Sequence, residues 1–219
     1  MTQEAPLRVA ARELRYLLER GYPLEASLQL VGNRHALALL GRDLLRRGVV
    51  AAQTALERRG KLLSPEQLAG ASLAVDGHNQ LITLESALKG KPLVAADDGL
   101  VRDVARVGRR YRPGPVSRKA LGLLLELLSA VRPASTLFLF DAPVSGSGEL
   151  ASLVRQEMAA TGLPGEARAT PYPEAELAGY PGPVATSDGP LIDLCPQAAD
   201  LAGAVIRAHF HQLLISLES

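Results

Sequence analysis

Three apolar runs in this sequence of 219 residues each end in an aspartate. The first run covers residues 73–75 and is followed by Asp76. The second covers residues 136–140 and is followed by Asp141, and the third covers residues 183–187 and is followed by Asp188. Short apolar runs bounded by turn residues are typical of buried β-strands. In an open parallel sheet, ligands and catalytic groups collect at the carboxyl ends of the strands. We therefore expect Asp76, Asp141 and Asp188 to meet at one edge of a sheet.

Carboxylates gathered at one edge repel one another, and the usual compensation is a hard divalent cation. Mg²⁺ and Mn²⁺ prefer oxygen ligands of this kind, and such a cation can polarise a phosphodiester and orient a water. Asp76, Asp141 and Asp188 are the expected ligands, while Asn79 and Glu149 are expected to orient water or phosphate. Supporting acidic candidates are Asp97, Asp98, Asp103 and Asp193.

Each of these acids also has a purely structural explanation. An aspartate at a strand end often caps the following helix, and for any one of them alone capping is the simpler hypothesis. Asp97 and Asp98 precede Gly99 and fit a turn, Glu149 fits a favourable charge at a helix N-terminus, and Asp193 fits a cap. Three strand-end acids in a single sheet favour the metal-site hypothesis.

The composition is that of a globular protein with a sizeable core: 47% of the residues are hydrophobic, 21% are charged and the net charge is +1. The single Cys195 excludes an intrachain disulfide and a cysteine-built zinc site. Residues 1–8 lack the apolar core of a signal peptide, and no apolar run approaches the roughly 20 residues of a membrane span. These features predict a cytoplasmic protein without a membrane partner. The aromatic content of 4% argues against aromatic stacking as the main binding device.

Periodicity predicts two parts, a helical module over residues 1–68 and an α/β domain over residues 69–219. Gly21-Tyr22-Pro23 ends the first helix, and a short turn over 65–69 leads into the first strand. The further expectations are helices over 24–30, 35–47, 81–88, 117–130, 150–160 and 198–217, and strands over 93–96 and near 167–170. Strands that alternate with helices indicate a parallel sheet with helices on both faces.

Residues 101–119 form the most basic segment of the chain, with seven Lys+Arg and one acid. Arg102, Arg106, Arg109 and Arg110 are the residues expected to neutralise a nucleic-acid backbone, so binding should weaken steeply with salt.

The order of three motifs resembles that of the PIN-like NYN nucleases, in particular the YacP-type bacterial ribonucleases. The motifs are Val75-Asp76-Gly77-His78-Asn79, Leu139-Phe140-Asp141-Ala142 and Val184-Ala185-Thr186-Ser187-Asp188, and the resemblance covers about residues 71–200. Two departures stand out: His78 replaces the tyrosine of the family, and its acid-rich stretch after the second motif is thinned to Glu149. The segment over 89–115 has no counterpart.

This resemblance implies a three-layer α/β/α Rossmann-like (PIN-like) domain that acts as a Mg²⁺- or Mn²⁺-dependent endoribonuclease on single-stranded RNA. The acids of the family map onto Asp76, Asp141 and Asp188, with Asn79 beside them. One alternative is a PIN-like module that binds nucleic acid or protein without chemistry. Another is a different metal-dependent phosphohydrolase, although haloacid-dehalogenase-type phosphatases need a second Asp where His78 stands. The oligomeric state is left open.

Overall fold

A computed structural model describes residues 4–104 and 113–218. The helices in these ranges are α1 (Glu4–Leu18), α2 (Leu24–Arg34), α3 (Leu39–Gly48), α4 (Ala52–Lys61), α5 (Gly77–Leu88), α6 (Pro115–Val131), α7 (Ser147–Thr161), α8 (Pro173–Ala178), α9 (Gly189–Leu194) and α10 (Leu201–His209). The strands are β1 (Leu62–Leu63), β2 (Ser72–Asp76), β3 (Leu93–Ala95), β4 (Val101–Asp103), β5 (Ser135–Asp141), β6 (Gly165–Thr170), β7 (Val184–Ala185), β8 (Ala198–Ala199) and β9 (Leu214–Ser216). Short 3₁₀ turns cover Pro65–Leu68 and His211–Leu213.

Six strands form a parallel sheet in the order β1-β8-β7-β2-β5-β6. Side chains of β2 alternate between its faces. Leu73 and Val75 join the core built by α5, α6, α7 and α10, whereas Ala74 packs with apolar residues of α8 and α9. Helices therefore cover both faces, and the predicted α/β architecture with a parallel sheet after a helical N-terminal segment is confirmed.

The N-terminal helices share a core with a second, smaller sheet. This sheet has the order β4-β3-β9, with β3 antiparallel to β4 and parallel to β9. Val94 of β3 and Leu217 after β9 are buried together with Leu14 of α1 and Leu45 of α3. The pairing of β3 with β9 brings the C-terminal end of the chain onto the helical segment.

Several element boundaries differ from those predicted. Helix α2 runs through Gly32 and Asn33, α3 starts at Leu39, and α4 has no counterpart among the predicted helices. The helix predicted over 198–217 was wrong, because that range holds β8, α10, a 3₁₀ turn and β9. A short apolar run has no periodicity that separates helix from strand, and β9 takes its conformation from pairing with β3.

No helix within the described ranges combines the length and apolarity needed to cross a membrane.

Candidate acidic site

Strands β7, β2 and β5 are neighbours in the parallel sheet, with β2 between the other two. Their carboxyl ends therefore open on the same edge, and Asp188, Asp76 and Asp141 follow or end these strands. Helix α5 leaves β2 toward one face of the sheet, whereas α9 leaves the loop after β7 toward the other face. Such a divergence opens a crevice at the carboxyl edge, the position at which open α/β sheets bind ligands.

Asp76 is half-buried and tied to both neighbouring loops. Its Oδ1 accepts a hydrogen bond from the backbone N–H of Asn79 at 3.3 Å, and its Oδ2 accepts one from Thr186 Oγ1 at 3.0 Å. The Thr186 hydroxyl also accepts from the backbone N–H of Asp188 at 3.1 Å. Asp76 thus caps α5, as the structural explanation requires, and is also linked to the loop that carries Asp188.

Burial raises the pKa of Asp76 from 3.8 to about 6. The hydrogen bonds from Asn79 and Thr186 lower this pKa, and the negative charges of Asp188 and Glu174 raise it further. The pKa of Asp76 is therefore raised because its carboxylate has little contact with solvent and lies near other acids.

Asn79 supports the neighbouring loop through its side-chain oxygen. Asn79 Oδ1 accepts hydrogen bonds from Ser187 N at 2.8 Å, from Ser187 Oγ at 3.0 Å and from Gln80 Nε2 at 3.0 Å. The two Ser187 donors hold the β7–α9 loop against the start of α5, and the bond from Gln80 fixes the Asn79 amide within α5. The oxygen of Asn79 therefore positions Ser187, and with it the adjacent Asp188, instead of facing a ligand.

His78 anchors the loop that follows β5. The backbone N–H of Asp141 donates to His78 Nδ1 at 3.2 Å, so that the ring proton belongs on Nε2, which lies 3.5 Å from Ser147 Oγ. The Ser147 hydroxyl reaches the carbonyls of Asp141 and Val144, each at 2.6 Å. Burial lowers the pKa of His78, and the Asp141 carboxylate offsets part of this shift. A neutral His78 thus positions Asp141.

A cleft of about 350 Å³ opens beside these residues, and its lining adds an acid that the sequence motifs missed. Its walls include Asp76, His78, Asp141, Tyr172 and Glu174. Glu174 lies in the first turn of α8, which follows β6 at the same edge of the sheet. The only signal for Glu174 in the sequence was its position about one turn after the strand predicted near residues 167–170. Glu149 lies exposed in the first turn of α7 and does not line this cleft.

The acids on the β3–β4 turn lie in ion pairs with arginines. Because β3 and β4 form an antiparallel hairpin outside the large sheet, Asp97 and Asp98 do not join its carboxyl edge. Arg15 of α1 donates to both oxygens of Asp97, each at 2.7 Å. Asp98 is fully buried between Arg58 and Arg102, with contacts of 3.0 and 2.7 Å.

Burial alone would raise the pKa of Asp98, but hydrogen bonds and charge from Arg102 and Arg58 more than offset burial, and the net shift is downward. Asp193 also pairs with Arg58 at 2.7 Å, and this contact lowers the pKa of Asp193. Asp103 receives a hydrogen bond from Thr83 Oγ1 at 3.2 Å. These four acids have partners within the protein, which explains their positions without a metal.

The four arginines expected to bind phosphate separate into two groups. Arg102 is buried and donates to Asp98, to the carbonyl of Ser187 at 2.7 Å and to the carbonyl of Arg47 at 3.1 Å, so its guanidinium does not face a nucleic acid. Arg106, Arg109 and Arg110 lie outside the described residues.

The acids of the cleft, by contrast, lack a counterion, as does Asp188, which does not line the cleft but is linked to Asp76 through Thr186. Among the residues that the structure describes, Asp76, Asp141, Asp188 and Glu174 make no ion pair with Lys, Arg or His. Within the same residues, no three His, Cys, Asp or Glu side chains are close enough to hold a single ion. A set of carboxylate oxygens still suits Mg²⁺, which keeps several waters and takes only one or two carboxylates from the protein.

Comparison with known proteins places the chain in a family. Residues 65–204 match the family model described as "Domain of unknown function (DUF5616)", and residues 6–61 match the one described as "Protein of unknown function (DUF434)". A protein of Methanocaldococcus jannaschii described as uncharacterized is 33% identical over 183 residues, which is 84% of this chain and 87% of the relative. No solved structure matches. The chain therefore belongs to the family described as DUF5616, with the DUF434 segment before it.

Proposed function

We propose that the acidic cleft hydrolyses phosphodiester bonds in single-stranded RNA with the help of Mg²⁺ or Mn²⁺, on a domain of the PIN-like type. One observation carries the proposal: the parallel sheet gathers Asp76, Asp141 and Asp188 at one edge without a cationic partner among the described residues. Elsewhere in the described residues, the buried Asp97 and Asp98 each pair with arginine. Carboxylates at one edge of a sheet without counterions favour the binding of a cation.

A bound cation would neutralise the carboxylates and polarise the phosphodiester. The residues of the chain supply the geometry around it. Asp76 and Asp188 are coupled through Thr186, His78 fixes the backbone of Asp141, and Asn79 fixes the loop that carries Asp188. Glu174 adds a third carboxylate to the wall of the cleft, beside Asp76 and Asp141.

The test is cleavage of a labelled single-stranded RNA by the purified protein in Mn²⁺. We expect endonucleolytic products that disappear with EDTA, and a loss of at least about 100-fold in rate for Asp76→Asn combined with Asp141→Asn. Glu126→Gln, an exposed carboxylate on α6, is the matched control and should leave the rate unchanged. Cleavage that persists in the double variant at the wild-type rate would refute the assignment.

A second candidate is a PIN-like module that binds RNA or protein without chemistry. It is favoured by the separation of the acids, because no three of those in the described residues lie within reach of one ion. RNA binding that needs no Mn²⁺, in a protein that cleaves no RNA, would support this candidate over the nuclease.

A further inference from the structure

Tyr172 stands exposed on the wall of the acidic cleft. Its side chain is 72% exposed, the largest exposed fraction among the large apolar side chains of the described residues. It lines the same cleft as Asp76, His78 and Asp141. An isolated exposed aromatic on a protein surface needs no explanation, but this one lines the cleft that holds acids proposed to act on a phosphodiester. A flat ring in that position suits a flat ligand.

The backbone around Tyr172 is held by its neighbours in sequence and space. Pro171 and Pro173 flank it, and proline both fixes its own φ and restricts the residue before it. The backbone N–H of Tyr172 donates to Thr170 Oγ1 at 3.4 Å. Thr170 and Arg168 of β6 both contact Glu176 of α8, which closes the turn. The backbone that carries the ring is therefore already ordered before a ligand binds, which lowers the entropy cost of binding.

We propose that Tyr172 is a stacking platform for one unpaired nucleobase of the substrate, next to the phosphate that the acidic cleft would hold. This inference rests on the proposed function and names its substrate class as single-stranded nucleic acid. Every base has a π-face, so stacking on a single tyrosine tolerates any sequence. Bases in a duplex are already stacked on each other and do not offer this face. One platform for one base also agrees with an aromatic content of only 4%.

The absence of tryptophan from the sequence allows a direct binding assay. Tyr172→Trp keeps a stacking ring and introduces the only indole, whose fluorescence we expect to be quenched by a single-stranded RNA oligonucleotide. The titration is done in Ca²⁺, which takes the same kind of oxygen ligands as Mg²⁺ with looser geometry. An abasic oligomer of the same length should give no quenching.

The matched control is Tyr22→Trp, since Tyr22 is 57% exposed, also precedes a proline and lies between α1 and α2. Its fluorescence should not respond to either oligomer. Three results would overturn the inference. They are equal quenching in the two variants, equal quenching of Tyr172→Trp by the RNA and the abasic oligomer, and no quenching of Tyr172→Trp by the RNA.

A kinetic comparison separates this inference from the proposed function. For single-stranded RNA, Tyr172→Ala should raise KM about tenfold with little change in kcat, whereas Tyr172→Phe should behave like the wild type. If the wild type and Tyr172→Ala both cleave RNA with the same KM and kcat, stacking on Tyr172 is refuted and the proposed function is not. A wild-type protein that cleaves no RNA would refute the proposed function, and the fluorescence titration would still decide whether position 172 stacks on a base.

Discussion

At the scale of single residues, the main feature is a carboxylate kept in an unfavourable environment. Asp76 has its pKa raised to about 6 by burial and by the charges of Asp188 and Glu174. In the unfolded chain the ordinary pKa of 3.8 returns. Because the folded state binds this proton more tightly, the contribution of Asp76 to the free energy of unfolding is most favourable below about pH 4 and is lost as the pH rises through about 6. A group that costs stability at neutral pH is a candidate functional group.

Asp76→Asn should therefore stabilise the protein at neutral pH. The amide keeps an oxygen for the N–H of Asn79 and carries no charge, so we expect the free energy of unfolding to rise by about 2 kcal/mol at pH 7.5. At pH 4 the gain should vanish, because the wild-type carboxyl is then protonated in the folded state. Urea unfolding at the two pH values measures this difference. Equal stability of the two proteins at pH 7.5 would show that Asp76 is not strained by its surroundings.

The same pKa predicts the pH profile of cleavage. If the ionised form of Asp76 is required, kcat/KM should fall about tenfold per pH unit below pH 6 and level off above it. Initial rates between pH 5 and 8 provide the profile, with the unfolding data used to exclude loss of the folded state. They are measured below saturation with Mn²⁺, because a bound cation would itself lower the pKa of Asp76. A profile that stays flat down to pH 5 contradicts a role for the Asp76 carboxylate.

At the scale of elements, buried arginines connect the N-terminal helices to the loop that carries Asp188. Arg58 of α4 contacts Asp98 and Asp193, and its guanidinium packs on Gly189 so closely that a side chain at Gly189 would collide with it. Arg102 of β4 joins Asp98 to the carbonyl of Ser187. The helical segment thus has a structural role in the site, since it positions the β7–α9 loop through the β3–β4 hairpin.

Removal of one member of this network should be costly. Arg102→Met leaves the buried Asp98 with only Arg58, and we expect the free energy of unfolding to fall by about 3 kcal/mol. Arg46→Met is the control, because Arg46 pairs with Glu25 on the surface and should change stability by less than about 1 kcal/mol. Chemical unfolding of both variants gives the comparison, and similar losses in the two would argue against a special role of the buried pair.

The turn between β2 and α5 depends on the absence of a side chain at Gly77. A Cβ there would collide with the buried ring of Phe140, which stacks on Phe138. Gly77→Ala should therefore destabilise the protein by about 1–3 kcal/mol through overpacking. Gly122→Ala, at an open position inside α6, should instead stabilise it by about 0.5–1 kcal/mol, because alanine loses less backbone entropy. Thermal unfolding of the two variants tests the predicted loss of stability for Gly77→Ala and the predicted gain for Gly122→Ala. A Gly77→Ala protein as stable as the wild type would show that the Phe140 ring can move.

For the molecule as a whole, the sequence predicted strands and the acids at their ends best where the strands are buried on both faces. Residues 73–75 and 136–140 are continuous apolar runs because helices cover both sides of β2 and β5, and their acids could be placed at one edge on that basis. Edge strand β6 lacks such a run, so the acid that follows it, Glu174, carried no comparable signal. Asp97 and Asp98 also follow an apolar run, which forms β3. This strand lies in a different sheet because it pairs with β9, which is far away in the sequence.

We expect the acidic cleft to bind a divalent cation, and calorimetric titration with Mn²⁺ measures this binding. We predict one binding event for the wild type, an affinity at least about tenfold weaker for Asp76→Asn combined with Asp141→Asn, and wild-type affinity for Glu126→Gln. No heat at millimolar Mn²⁺ in the wild type, or wild-type affinity in the double variant, would contradict the claim.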